Sequence, residues 1–149
     1  MNYRRIAVAA VTAWLVSIPL GAFIHHGVLG NIYAADAAAF RPEADIVRRL
    51  PIGLAVELLG FFVVAFMYAQ MNAGQSGIGK GIRFGVLMGV ALVSLAVIGN
   101  YVTQPISALV GVAEVLEYIV GSIIYGAIIG AVYRPDVSAH RLSPPRPLD

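Results

Sequence analysis

The chain has 149 residues, of which 59% are hydrophobic and 12% charged, and its formal net charge is +2. Soluble domains carry about 25% charged residues, and a fold of this length leaves too much surface exposed to hide so much apolar side chain. A soluble enzyme, a nucleic-acid-binding module and a disordered chain are therefore excluded. The mean hydropathy of +0.82 points instead to a bilayer protein. Cysteine is absent, which removes disulfides, thiolate metal sites, iron–sulfur clusters and cysteine nucleophiles.

A membrane-crossing helix needs about 20 predominantly apolar residues. The chain offers four such stretches: residues 6–24, 51–70, 82–101 and 106–133. The runs show no alternation of period 2, so strands are not expected. The first stretch follows Arg4-Arg5. That start also fits a cleaved signal peptide, but the apolar run is longer than a typical leader core and no Ala-x-Ala site follows at once. Ala9, Ala13, Ser17 and Gly21 form a small-residue stripe along it, Pro19 is positioned to kink it, and His25 and His26 end it.

Residues 25–50 are the only long loop. Arg41-Pro42-Glu43-Ala44-Asp45 reads as a helix start with acids in the first turn. Ile46, Val47 and Leu50 then make an apolar stripe beside Arg48 and Arg49. This predicts a short amphipathic helix lying on the membrane surface, with a lid over the bundle as the sharper alternative. Pro51 suits the first turn of the second span. A Gly-, Gln- and Ser-bearing connector over 72–79 leads to the third span, where Gly77, Gly81, Gly85 and Gly89 recur every four residues. Thr103-Gln104-Pro105 is a tight turn that makes the third and fourth spans antiparallel neighbours. The fourth carries Ser122, Gly126 and Gly130. Small-residue stripes let helix backbones approach closely where lipid supplies no hydrophobic drive, so Gly81, Gly85, Gly89, Ser122, Gly126 and Gly130 are the predicted packing residues. One such stripe could equally serve a homo-oligomer.

The expected fold is an all-α membrane protein. It is a four-transmembrane-helix bundle over residues 1–134 with one outer interfacial amphipathic segment, followed by a Pro-rich cytoplasmic tail over 135–149. Arg4, Arg5, Lys80, Arg83, Arg134, Arg141 and Arg146 fall on one side and Arg41, Arg48 and Arg49 on the other. The positive-inside bias then puts both termini in the cytoplasm of an inner-membrane protein. A weak internal echo joins the halves: Glu57 precedes Tyr68, and Glu114 precedes Tyr125, by the same interval.

Glu57, Glu114 and Glu117 lie inside predicted spans. A charge at mid-membrane costs roughly 2.5–3.5 kcal/mol on insertion scales and usually marks a functional path. At 1.5 Å per residue the three sit about 9, 12 and 16 Å from the outer edge. His25, His26, Asn100 and Gln104 belong to the same outer half, so these seven residues form the candidate polar pocket. Burial opposes ionisation of a carboxyl group, and histidine titrates near pH 6.5; together they suit a proton- or cation-linked site. The competing expectation, given the larger weight, is a structural or accessory subunit whose glutamates only bond between helices, with Trp14 and the tyrosines as partners. Expected partners are the lipid bilayer and a homo-oligomer or larger membrane complex, with no nucleic acid. A metal site from His25, His26, Glu57 and Glu114 is disfavoured because adjacent histidines diverge on a helix. No metal, cofactor or catalytic residue is expected, and no hydrolase motif supports an enzyme.

Three segments carry a resemblance: Arg41-Pro42-Glu43-Ala44-Asp45-Ile46 through Arg49-Leu50-Pro51, Gly81-Ile82-Arg83-Phe84-Gly85, and Gly130-Ala131-Val132-Tyr133-Arg134-Pro135. With them the chain resembles a type of small bacterial four-span membrane protein. The resemblance implies a four-helix inner-membrane protein and carries over no activity, cofactor or catalytic residue.

Overall fold

The computed structural model describes residues 2–72 and 76–134. Among them the secondary structure is entirely helical. Helix α1 (Tyr3–Ala22) opens on Asn2, whose side chain accepts the Arg5 N–H at 3.1 Å, one of the donors that a helix start leaves unpaired. It runs through Pro19 and continues as a π-helical turn, Phe23–Val28. A short helix α2 (Gly30–Ala35) and a 3₁₀ turn (Ala37–Ala39) lead to α3 (Glu43–Met71). Helix α4 (Ile78–Leu92) passes through a second π turn (Val93–Val97) into α5 (Ile98–Thr103). Ser107 accepts the Val110 N–H and starts α6 (Ala108–Val132).

Four continuous stretches are long and apolar enough to cross a membrane: Tyr3–Val28, Glu43–Met71, Ile78–Thr103 and Ala108–Val132. Each contains or nearly contains a predicted span, but three are longer. The largest difference is at α3. Residues 43–50 are not a separate surface helix; they are the first two turns of α3, and Pro51 lies in its interior. A proline there leaves the Val47 carbonyl without its donor, and one missing bond does not end a helix of 29 residues. At about 43 Å that helix exceeds the roughly 30 Å hydrocarbon thickness. The predicted helix start is where it was expected. Asp45 in the first turn meets Arg41, Arg48 and Arg49 at 3.2, 3.4 and 3.2 Å. These pairs are solvent-exposed and each is worth at most about 1 kcal/mol. The tail expected over 135–149 and part of the 72–79 connector lie outside the described residues.

The helices form two antiparallel pairs, α1 with α3 and α4 with α6, joined along α1 and α6. Glycine decides the second pair. A Cβ on Gly81 would strike the Gly126 carbonyl, one on Gly85 the Ser122 carbonyl, and one on Gly126 the Gly81 carbonyl, so the backbones touch as the small-residue stripes predict. Gly89 meets Ile119 and Ser122, and Gly130 meets the Gly77 and Gly81 backbone. These stripes are occupied within one chain. On α1 the buried stripe is Ala9, Ala10, Ala13 and Ser17; Gly21, expected to extend it, has open space where a side chain would go. Trp14 ties α1 to α3 by donating Nε1–H to the Leu54 carbonyl at 3.1 Å, and this bond takes it away from the glutamates it was expected to serve.

The core lies toward the end that carries both described termini. There Tyr68 meets Phe84 and Tyr133 edge-on, with ring centroids 5.5 and 6.0 Å apart, over a floor of Ala9, Ala65 and Ala69. Helices α3 and α4, successive in the chain, make few contacts beyond this ring cluster, and α3 touches α6 sparsely. Around the bundle the order is therefore α3, α1, α6, α4, with a gap between the first and last.

Candidate functional site

That gap holds a cavity of about 500 Å³. Glu57, Gly60, Phe61 and Val64 line it from α3, and Phe84, Gly85, Met88 and Leu92 from α4. Helix α6 forms the back wall with Glu114, Glu117, Gly121 and Tyr125, and His25 and Tyr33 cover the end away from the termini. Glu114 and Glu117, three residues apart, share a helical face, which Gly121 and Tyr125 continue. Phe61 sets its ring edge-on to Tyr125 at 5.1 Å, closing the cavity toward the core.

The polar chemistry concentrates on Glu117. Its Oε1 lies 3.1 Å from His25 Nε2, and its Oε2 accepts the Tyr33 hydroxyl at 3.4 Å. The Tyr33 contact is long for an O–H···O bond and correspondingly weak. The Glu117 side chain is 18% exposed and that of His25 51%, so the carboxylate stands inside and the imidazole at the mouth. The π turn over Phe23–Val28 adds a residue to the local helical turn and re-aims the side chains that follow, a device frequent at functional sites. His25 and Tyr33 also pack ring to ring at 5.2 Å, and Tyr33 meets Phe40 at 5.4 Å. Burial, with Glu117 and Glu114 beside it, holds the Tyr33 phenol well above its ordinary value, so it stays a neutral donor. Glu114 differs from its neighbour: its Oε2 is buried and has no hydrogen-bond partner among the described residues. A buried acceptor of this kind is costly to leave unsatisfied. Glu57 lines the same cavity from α3 as an exposed residue.

Asp36 fastens the segment that carries Tyr33. Its Oδ2 accepts the Ser107 N–H at 2.7 Å, linking the α2 loop to the start of α6. Hydrogen bonding from the Ser107 hydroxyl first, and from this amide second, holds the Asp36 carboxyl below its ordinary 3.8.

Of the seven predicted pocket residues, Glu57, Glu114, Glu117 and His25 come together. His26, Asn100 and Gln104 do not line the cavity and are exposed. His26 follows His25 on the helix and points elsewhere, as adjacent helical residues must. On α5 it is Tyr101, between Asn100 and Gln104, that faces α6, its ring against Gly111. No three His, Cys, Asp or Glu side chains among the described residues are placed to hold one metal ion, so the quartet of His25, His26, Glu57 and Glu114 is not assembled. Sequence reasoning missed Tyr33. It sits in a loop helix with no periodic signal of its own, and only its phenol beside an unassigned carboxylate could have marked it. The echo between halves has a spatial counterpart, because Glu57 and Glu114 face one cavity from the second helix of each pair. No protein-family model matches the chain, and no curated protein or solved structure matches it.

Proposed function

We propose that this chain is a multi-pass membrane protein that handles protons or cations at the cleft between α3, α4 and α6. The observation that carries the reading is the 3.1 Å contact of His25 with Glu117 at the mouth of a cavity that also holds Glu114 and Glu57. Carboxylates scattered into lipid would have favoured a passive scaffold. Here a half-exposed imidazole and a shielded carboxylate stand close enough to exchange a proton directly. Histidine changes charge near neutral pH, and a carboxylate within hydrogen-bond reach of it can take up or release the proton. Glu117 is the exchange group, His25 the entry group, and Glu114 the second acceptor. The Lys/Arg distribution supports an orientation with both termini cytoplasmic in an inner membrane, so the cleft faces the outer leaflet. The exposed apolar faces, such as Ile52, Val56 and Leu59 on α3, then meet lipid.

The test is proteoliposome flux read by an entrapped pH-sensitive dye under an imposed cation or proton gradient. Wild type is expected to dissipate the gradient. Glu117→Gln, which keeps the shape of the side chain and one acceptor oxygen but cannot carry a proton, is expected to slow it at least about tenfold, equivalent to about 1.4 kcal/mol. Glu43→Gln, outside the cleft, is expected to match wild type. Equal, negligible flux in all three returns the protein to the accessory-subunit reading.

A further inference from the structure

The cavity also specifies what kind of cation it takes. Its volume of about 500 Å³ is the size of sites that enclose small organic molecules, far more than a dehydrated metal ion fills. The walls are largely apolar and aromatic. Phe61 and Tyr125 hold a fixed edge-on pair, which leaves ring surface facing the cavity, and Met88 adds a polarisable side chain opposite. Aromatic faces attract organic cations. The charged groups are three carboxylates against one imidazole, which rejects an anion. Glu114 lines this wall and its buried Oε2 has no hydrogen-bond partner among the described residues, so no protein donor offsets its charge when ionised and a cation in the cavity would do so electrostatically. The metal alternative lacks a converging set of ligands among the described residues. Because α3 and α4 barely touch, the cavity also opens on the side of the bundle, a second route besides the mouth at His25 that an amphipathic molecule can take from among lipid tails.

We propose that the cleft between α3 and α4 binds an amphipathic organic monocation that enters sideways from the bilayer, its charge beside Glu114 and Glu117 and its apolar body on Phe61, Tyr125 and Met88. The proposal rests on the cation-handling reading above and names its ligand class. A bound cation competes with protons for the same carboxylates, so its entry displaces a proton toward His25.

The experiment is calorimetric titration of the full chain in mild detergent with tetraphenylphosphonium, with neutral triphenylphosphine oxide as the matched uncharged probe. Saturable binding of the cation at one site per chain is expected, with no saturable binding of the oxide. Glu114→Gln and Glu117→Gln should each weaken the cation at least about tenfold. Gly60→Leu should also block it, because Gly60 lines the cavity and has open space where a side chain would go, so bulk enters without disturbing the carboxylates. Unchanged helicity of each variant by circular dichroism separates lost binding from lost fold. Dodecyltrimethylammonium, a single-chain amphiphile, distinguishes a lipid-like ligand from a compact aryl cation, and saturable binding of either supports the class. Equal binding of the neutral oxide, or carboxylate variants that bind like wild type, overturns the proposal. If no organic cation binds while Glu117-dependent flux persists in proteoliposomes, the ligand class is wrong and the proton- or cation-handling reading stands. If that flux is absent as well, both fall.

Discussion

Gly81 and Gly126 face each other so closely that a methyl group on either would fall on the carbonyl of the other. Two backbones in direct contact give many weak dispersion contacts at once, the kind of packing that associates helices wherever lipid supplies no hydrophobic drive. The α4–α6 pair is thus held by shape along most of its length, and the back and one side wall of the cleft are a single unit.

Glycine positions should therefore divide sharply under mutation. Gly81→Ala and Gly126→Ala are each expected to destabilise the protein by about 1–3 kcal/mol through overpacking, because backbone rather than a flexible side chain must give way. Gly53→Ala and Gly99→Ala, where nothing lies within reach, are expected to be neutral or to stabilise by about 0.5–1 kcal/mol through helix propensity. Unfolding titrations in mixed micelles, followed by circular dichroism, check the contrast.

Trp14→Phe removes the one described hydrogen bond between α1 and α3. Bonds between membrane helices average about 0.6 kcal/mol, with a maximum near 1.7, and a loss in that range is expected from the same titrations. Flux should be unaffected, since Trp14 does not line the cleft.

The tether from Asp36 to Ser107 predicts a dependence on acid pH. The folded carboxyl titrates below its ordinary 3.8, so the folded state favours the ionised form. Its contribution is fully present above the unfolded value and is lost as pH falls through the folded value. The protection of the Ser107 amide against deuterium exchange, taken relative to the intrinsic rate at each pH, should accordingly be high at neutral pH and fall below that range. Asp36→Asn should remove the pH dependence.

Tyr33→Phe should separate structure from function at the mouth. The 3.4 Å contact is weak, and the ring packing on His25 and Phe40 survives the loss of the hydroxyl. The variant is expected to keep at least half the wild-type flux, in contrast to Glu117→Gln. A loss as deep as that of Glu117→Gln would make the phenol part of the proton path.

The four long helices, the glycine seam and the gathering of Glu57, Glu114 and Glu117 were legible in the sequence. Hydropathy locates a span, and spacing of three or four residues fixes which side chains share its face. Rotation at the span ends was not legible. Both long-loop and tight-turn ends are reached through π turns, which alter the angle between residues before and after them. That is why His25 rather than His26 meets Glu117, and why Tyr101 rather than Asn100 or Gln104 meets α6. The first turns of α3 were misread for a different reason. Pro51 is compatible with either a helix start or an interior position, and only the neighbouring helices decide between them.

The open seam between α3 and α4 makes one distance in this molecule unlike the others. The α4–α6 wall is fixed by backbone contact, whereas α3 is held through α1 and by the rings around Tyr68 near one end. The bundle can therefore act as a pair of tongs, pivoting where Tyr68, Phe84 and Tyr133 meet and parting where Glu57 faces Glu114. Leu59 and Leu87, one on each jaw and both exposed, would carry a pair of spin labels without entering the cleft. Their separation would report directly whether the jaws hold something or stand empty.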